Sequence, residues 1–140
     1  MIFLTLEAIC DINREWIQHY GGMYVEANSN LRDRPGLEYV LAAIQYPVFG
    51  VQRFPRLIDK AAALAWWVIE GHVFFDGNKR TGMQAARELL ELNGVLTHFD
   101  TESVIDISVG VANGRIRVDE LADLFLNFVE RGYGDPHQQS

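Results

Sequence analysis

Between His72 and Gly82 the chain reads His-Val-Phe-Phe-Asp-Gly-Asn-Lys-Arg-Thr-Gly, which gathers a proton acceptor, a carboxylate, an amide and two cations into one turn. From Asn78 onward Met83, Ala86, Leu89 and Leu90 follow helical spacing as far as Asn93-Gly94. Gly77 and Asn78 therefore stand at a helix N-terminus, where free backbone N–H groups and the helix dipole attract anions. A triphosphate is the guest that such a turn suits.

Each residue type has a place in that chemistry. His72, just past a helix that ends at Gly71, is the side chain best suited to accept a proton at neutral pH. Asp76 can hold Mg²⁺ through a carboxylate oxygen, and Mg²⁺ takes only one or two protein carboxylates besides phosphates and water. Lys79 and Arg80 neutralise phosphate charge, one as a point charge and the other as a planar fork. Gly77 lets the backbone approach an oxygen closely, and the Asn78 amide can donate to another. Taken singly, these residues have plainer readings: a structural histidine, a helix N-cap at Asp76, turn chemistry at Asn78. Two cations at a helix start, however, oppose the dipole by about 0.3–1 kcal/mol each at exposed sites, a conflict that a bound anion resolves. Phe74 and Phe75 alternate across the turn, so at least one anchors it to the core.

The stretch resembles the Fic/Doc signature H-x-F-x-[D/E]-G-N followed by G-R or K-R. His72, Phe74, Asp76, Gly77, Asn78 and Arg80 fill it, and Lys79 occupies the position that distinguishes Doc-like members. The resemblance to the death-on-curing branch also covers Tyr20-Gly21-Gly22, the segment from Arg34 to Glu38, the helix end at Asn93-Gly94 and the stretch from Val109 to Gly114. It runs from about residue 3 to about residue 131.

The resemblance implies an enzyme that uses ATP and Mg²⁺ to modify a protein hydroxyl. His72 would be the general base, Asp76 the metal ligand, Gly77 and Asn78 the donors, and Lys79 and Arg80 the phosphate clamps. Adenylylating relatives commonly carry glycine in place of Lys79 and a second arginine in place of Met83. The lysine form goes with a reversed nucleotide and phosphate transfer, although the best-known Doc motif has alanine where this chain has Gly77. The resemblance further implies a small antitoxin whose tail folds on binding, and a target such as the translation factor elongation factor Tu. The self-restraining string [S/T]-x-x-x-E-[G/N] is missing from the sequence. The alternatives are AMP transfer by a Fic-type adenylyltransferase and a non-catalytic nucleotide- or partner-binding module.

Composition sets the frame. With 140 residues the chain suits one domain, expected over 1–131 with a polar tail over 132–140. A net charge of −7 and the lack of a basic run argue against direct nucleic-acid binding, while Arg32, Arg34, Arg53 and Arg56 leave room for a local patch near the site. The single cysteine, Cys10, has no internal disulfide partner and reads as a small buried residue. Met1-Ile2-Phe3-Leu4 lacks the basic region and cleavage site of a signal peptide, and the richest apolar run, Ala61 to Ile69, is too short to cross a bilayer. The cytoplasm is the expected compartment.

The elements that must hold the turn are helices. Leu6, Ile9, Trp16, Ile17 and Tyr20 trace a stripe broken only by Asn13, with Thr5 as cap and Gly21-Gly22 as stop. Further helices are expected from Pro35 to Gln45, from Pro55 to about residue 70 as the centre of the bundle, from the motif to Asn93, from Asp100 or Thr101 to about Val111, and from Asp119 to Arg131. Trp66 and Trp67 read as core bulk in preference to a nucleobase platform, and His19 and His98 as surface residues. Only Val95 to Phe99 and Ile116 read as extended. The expected fold is all-α, a compact Fic/Doc-type bundle of about six helices with a short flap. Within Met23 to Phe54, either Arg32–Gly36 or Phe49–Phe54 would supply that flap and add strand-like hydrogen bonds to a target peptide.

Overall fold

The computed structural model of the chain describes residues 1–130, so Arg131 and the expected tail lie outside the described residues. Six helices follow one another: α1 Leu6–Tyr20, α2 Arg34–Gln45, α3 Leu57–Glu70, α4 Asn78–Leu92, α5 Thr101–Ala112 and α6 Val118–Phe125. Two short strands, β1 Leu96–Thr97 and β2 Val129–Glu130, pair antiparallel. The all-α expectation holds.

The centre of the bundle is α3. Ile58, Ala61, Ala62, Leu64, Ala65 and Val68 are all fully buried, and α2, α4, α5 and α6 pack around it. Its alanines present little bulk, so neighbouring helices approach closely and interdigitate. Pro55 precedes this helix instead of opening it; Arg56 is the cap, and its N–H donates to the Asp59 carboxylate at 3.1 Å. Trp66 and Trp67 pack edge to face against one another, and the Trp66 indole N–H donates to Ile116 O at 3.1 Å. Ile116 thus lies in a bend facing the core, not in a strand.

The last helix stops early. Beyond Phe125 the chain tightens into a 3₁₀ turn over Leu126–Phe128 and then extends as β2, where a helix to Arg131 was expected. Tertiary pairing overrides the periodicity: His98 N–H donates to Phe128 O at 2.8 Å, and Phe99 stacks on Phe128 while meeting Phe125 edge to face. At the other end, Asn93 grips the segment that leads into α1, accepting from Ile2 N–H at 2.7 Å and donating to Ile2 O at 2.8 Å. Cys10 is buried, and burial raises its thiol pKa. His19 and His98 are exposed.

Of the two expected flap positions, Arg32–Gly36 is already engaged, because α2 begins at Arg34 and the N–H groups of Arg32 and Asp33 both donate to Val73 O. Val48 and Val51 instead form a tight two-residue hairpin, with reciprocal 3.0 Å hydrogen bonds across Phe49 and Gly50. Both turn residues have positive φ, as a type I′ turn requires, and the Phe49 side chain is wholly exposed.

Candidate active site

The expected helix N-terminus is present. Gly77 is the cap of α4, in the left-handed region at φ 79°, and a Cβ there would lie 2.9 Å from the Asn13 amide nitrogen. Both the conformation and the close approach call for glycine. Thr81 N–H is the first in this turn to find a helical acceptor, Gly77 O at 2.9 Å, which leaves the N–H groups of Asn78, Lys79 and Arg80 directed out of the helix end. Gly77 N–H itself donates to Asp76 Oδ1 at 2.8 Å.

Asn78 has another task than the one expected of its side chain. Its Oδ1 accepts from Phe74 N–H and its Nδ2 donates to Phe74 O, both at 2.8 Å. The amide thereby locks the turn, and the backbone N–H is what Asn78 offers an anion. Phe74 is fully buried and is the anchor of the pair; Phe75 is 40% exposed and lines the site.

His72 sits at φ 47°, a left-handed conformation that costs a non-glycine residue free energy and persists only where the surroundings impose it. Arg32 imposes it. Its Nε donates to His72 O at 2.6 Å and its terminal nitrogen to Gly71 O at 2.7 Å, a fork across two consecutive carbonyls. Beyond that clamp, Leu31 bridges Phe74 and Phe75 N–H donates to Asn30 O at 2.9 Å. The imidazole is left exposed at the lip of the cleft.

A local arginine patch does not assemble. Arg32 holds the motif backbone, Arg34 pairs with Glu38 at 3.5 Å, Arg53 lies over Phe54 and Trp67, and Arg56 pairs with Asp59 at 2.9 Å. Each guanidinium is engaged by its own local partner.

Beneath the turn lies a buried polar network that sequence reading passed over as an interruption. Asn13 and Asn30 are wholly buried, as is Thr81. The Asn13 Nδ2 donates to Asp76 O at 2.8 Å and to Thr81 Oγ at 3.1 Å, while its Oδ1 accepts from Asn30 Nδ2 at 3.0 Å. Asn30 Oδ1 in turn accepts from Val25 N–H at 2.8 Å. One amide from α1 thus ties the motif turn, the first turn of α4 and the loop before α2 to a single point. The signal was in the sequence: a lone asparagine in an apolar stripe must find partners when buried.

The Asp76 carboxylate is fixed by backbone donors. Oδ2 accepts from Met23 N–H at 2.9 Å, and a Cβ at Gly22 would sit 2.6 Å from that oxygen, so the chain can pass there only as glycine. Each oxygen keeps a free lone pair, and the side chain is exposed to the cleft. Among the described residues no cluster of three or more His, Cys, Asp or Glu is placed to hold a metal. A single oriented carboxylate beside an anion nest fits Mg²⁺ that arrives with phosphates, and would not hold a metal unaided.

These groups share one cleft of about 590 Å³, lined on the motif side by His72, Phe75 and the run from Asp76 to Arg80. Its opposite wall comes from α5, through Val104, Ile105, Ser108 and Val109. Lys79 is exposed and has no carboxylate partner among the described residues. The Arg80 guanidinium lies 4.3 Å from the centre of the Tyr20 ring, a cation–π contact that holds it at the edge of the cleft. The structure thus brings all six sequence-predicted residues to one place.

The profile of the Fic/DOC family matches residues 3–90. Toxin Doc of Mycolicibacterium smegmatis (strain ATCC 700084 / mc(2)155) is 35% identical over 119 residues, 84% of this chain and 92% of that protein. Protein kinase doc of Escherichia phage P1 is 32% identical over 118 residues, 84% of this chain and 86% of that protein.

Proposed function

The chain belongs to the Fic/Doc family as a Doc-like member, and from that premise we propose that it is the toxin of a toxin–antitoxin pair, transferring a phosphate from ATP to a protein hydroxyl. One observation carries this reading: the distribution of charge along the start of α4. Lys79 stands beside the free N–H groups with no carboxylate partner among the described residues, whereas Met83, one turn further on, is apolar and only 5% exposed. Positive charge is therefore concentrated at the turn, next to His72. The terminal phosphate is the most charged part of a nucleoside triphosphate, and phosphoryl transfer asks a protein chiefly for positioning and charge neutralisation.

In this reading His72 takes the proton from an incoming Ser, Thr or Tyr hydroxyl. The hydroxyl oxygen bonds to the γ-phosphorus as the bond to the bridging oxygen breaks, and ADP leaves. The backbone N–H groups of Asn78, Lys79 and Arg80 hold the phosphate oxygens, and the Lys79 ammonium offsets their charge. Mg²⁺ carried on Asp76 would screen the remaining phosphate charge. Arg32 and Asn78 keep the turn in shape while this happens. The hairpin at Val48–Val51 would lend hydrogen bonds to the target backbone, and the family points to a translation factor such as elongation factor Tu. The partner that restrains the toxin would be a small antitoxin whose tail folds on binding, and both would meet in the cytoplasm.

The test is transfer of label by the full chain to elongation factor Tu or to proteins of a lysate, from γ-labelled and α-labelled ATP in parallel. Incorporation from the γ position alone, lost in His72→Ala and crippled in Lys79→Gly, is the expected result. Incorporation from the α position would overturn phosphate transfer in favour of adenylylation. No incorporation from either would leave a binding module.

A further inference from the structure

Helix α2 has to stop before the hairpin at Val48–Val51 can begin, and its last carbonyls show how it does so. Tyr46 N–H still donates to Ala42 O at 2.9 Å, and the Gln45 side-chain amide turns back to Leu41 O at 3.0 Å. The next two carbonyls lose their helical donors. Ala43 O would take the N–H of residue 47, which is proline. Ile44 O would take that of Val48, which donates instead to Val51 O at 3.0 Å and so opens the hairpin. Lys60 stands in for Val48: its Nζ reaches across from α3 and donates to Ile44 O at 2.7 Å.

Lys60 is only 2% exposed, and among the described residues no carboxylate pairs with it. An ammonium group so placed costs desolvation that an apolar side chain of the same length would avoid. What it provides in return is a cation at the negative end of α2 and a donor for a buried carbonyl that has lost its own.

We propose that Lys60 is a positioning residue for the protein target, holding the root of the hairpin that would meet the target's backbone. The inference rests on the phosphate-transfer reading above and adds what orients the acceptor side. Val48, Phe49, Gly50 and Val51 are all exposed, so the hairpin has no packing of its own, and a ribbon of this size is marginal in water. Its direction must come from its two roots. One is the Lys60 contact at the end of α2. The other lies past the turn, where Phe54 packs edge to face on Trp67 and the Arg53 guanidinium lies over the same ring. Trp67 O in turn accepts from the N–H of Gly71, the residue before His72. Thus α3 carries both roots: Lys60 near its start fixes where the hairpin leaves α2, and Trp67 near its end ties the returning strand to the turn that bears the base. Without the Lys60 donor, Ile44 O recaptures Val48 N–H, the first hairpin bond opens, and the target-facing backbone loses its fixed direction.

Hydrogen exchange of the full chain, together with steady-state transfer to the protein that takes γ-label in the assay above, tests this. Lys60→Met keeps the length of the side chain and removes the donor. It should speed exchange at Val48 and Val51 about tenfold or more while the amides of α4 stay protected. It should also raise KM for the target about threefold to tenfold, the scale of one hydrogen bond, with kcat and Mg²⁺-ATP affinity within about twofold. Val51→Pro, at an exposed position, removes the second hairpin bond without touching Lys60; it should raise the same KM, and in the double variant the two effects should not add. Unchanged target KM in either single variant, or an equal loss of kcat or of ATP affinity, would overturn the positioning role and leave phosphate transfer standing. Absence of γ-label in every protein offered to the wild-type chain would overturn both. If circular dichroism shows Lys60→Met misfolded, Lys60→Gln, whose amide falls about one bond short of Ile44 O, replaces it and is held to the same outcomes.

Discussion

Replacing Asn13 by alanine removes the buried side chain that hydrogen-bonds α1 to the motif turn, to the first turn of α4 and to Asn30 in the loop before α2. Three hydrogen bonds disappear together, at 2.8, 3.1 and 3.0 Å. Their partners do not suffer equally. Asp76 O lies near the surface, where water can replace the lost donor, and the Thr81 hydroxyl can rotate toward a carbonyl one turn back. Asn30 is wholly buried, so its amide N–H stays orphaned at a cost of about 1–3 kcal/mol. The void left by the shortened side chain adds to this, and a total loss of about 2–4 kcal/mol follows. At about 3–4 °C per kcal/mol for a domain of this size, the melting temperature should drop by roughly 6–15 °C. Urea denaturation followed by circular dichroism reads the loss directly, with the midpoint moving and the slope unchanged. Asn13→Asp should be at least as harmful, because a carboxylate cannot donate to Asp76 O and would be buried. A loss below about 1 kcal/mol in Asn13→Ala would refute the network as the element that holds the turn.

His72→Ala should leave the fold intact and reduce phosphate transfer by about 10²–10⁴-fold in single-turnover assays, the range of a general base; alanine keeps a Cβ at φ 47°, so the backbone strain persists and no gain in stability accompanies the loss. Asp76→Asn should keep an acceptor for Met23 N–H yet weaken Mg²⁺-nucleotide binding, seen as a higher Mg²⁺ requirement in the transfer assay and a smaller calorimetric signal. Lys60, buried inside α3 with its Nζ donating to Ile44 O at 2.7 Å, has its pKa lowered by desolvation. Between the lowered folded value and the ordinary lysine value the unfolded chain binds more protons, so this group makes stability rise with pH across that window. Denaturation midpoints at mildly and strongly alkaline pH should show the rise in the wild type, and its loss in Lys60→Met.

The chemistry of the site is local, and so the sequence could display it. His72, Asp76, Gly77, Asn78, Lys79 and Arg80 lie within nine residues of one another, and a turn followed by a helix with 3.6-residue periodicity places them on one helix end whatever else the chain does. The helical class, the central position of α3 and the anchoring of the turn by at least one of Phe74 and Phe75 follow from patterns of the same short range, and packing decides that it is Phe74. What Asn13, Asn30 and Arg32 do could not be read this way, because their partners lie 63, 17 and 40 positions distant, and hydrogen bonds at such separations exist only after packing. The reassignment of Asn78 from phosphate donor to turn lock is of the same kind: either role suits an amide, and the geometry at Phe74 selects one. The α5 wall of the groove and the early end of α6 also wait on tertiary structure. Periodicity says which face of a helix is apolar, whereas the neighbour that covers it, or leaves it open as the side of a pocket, is set by how all six helices pack together.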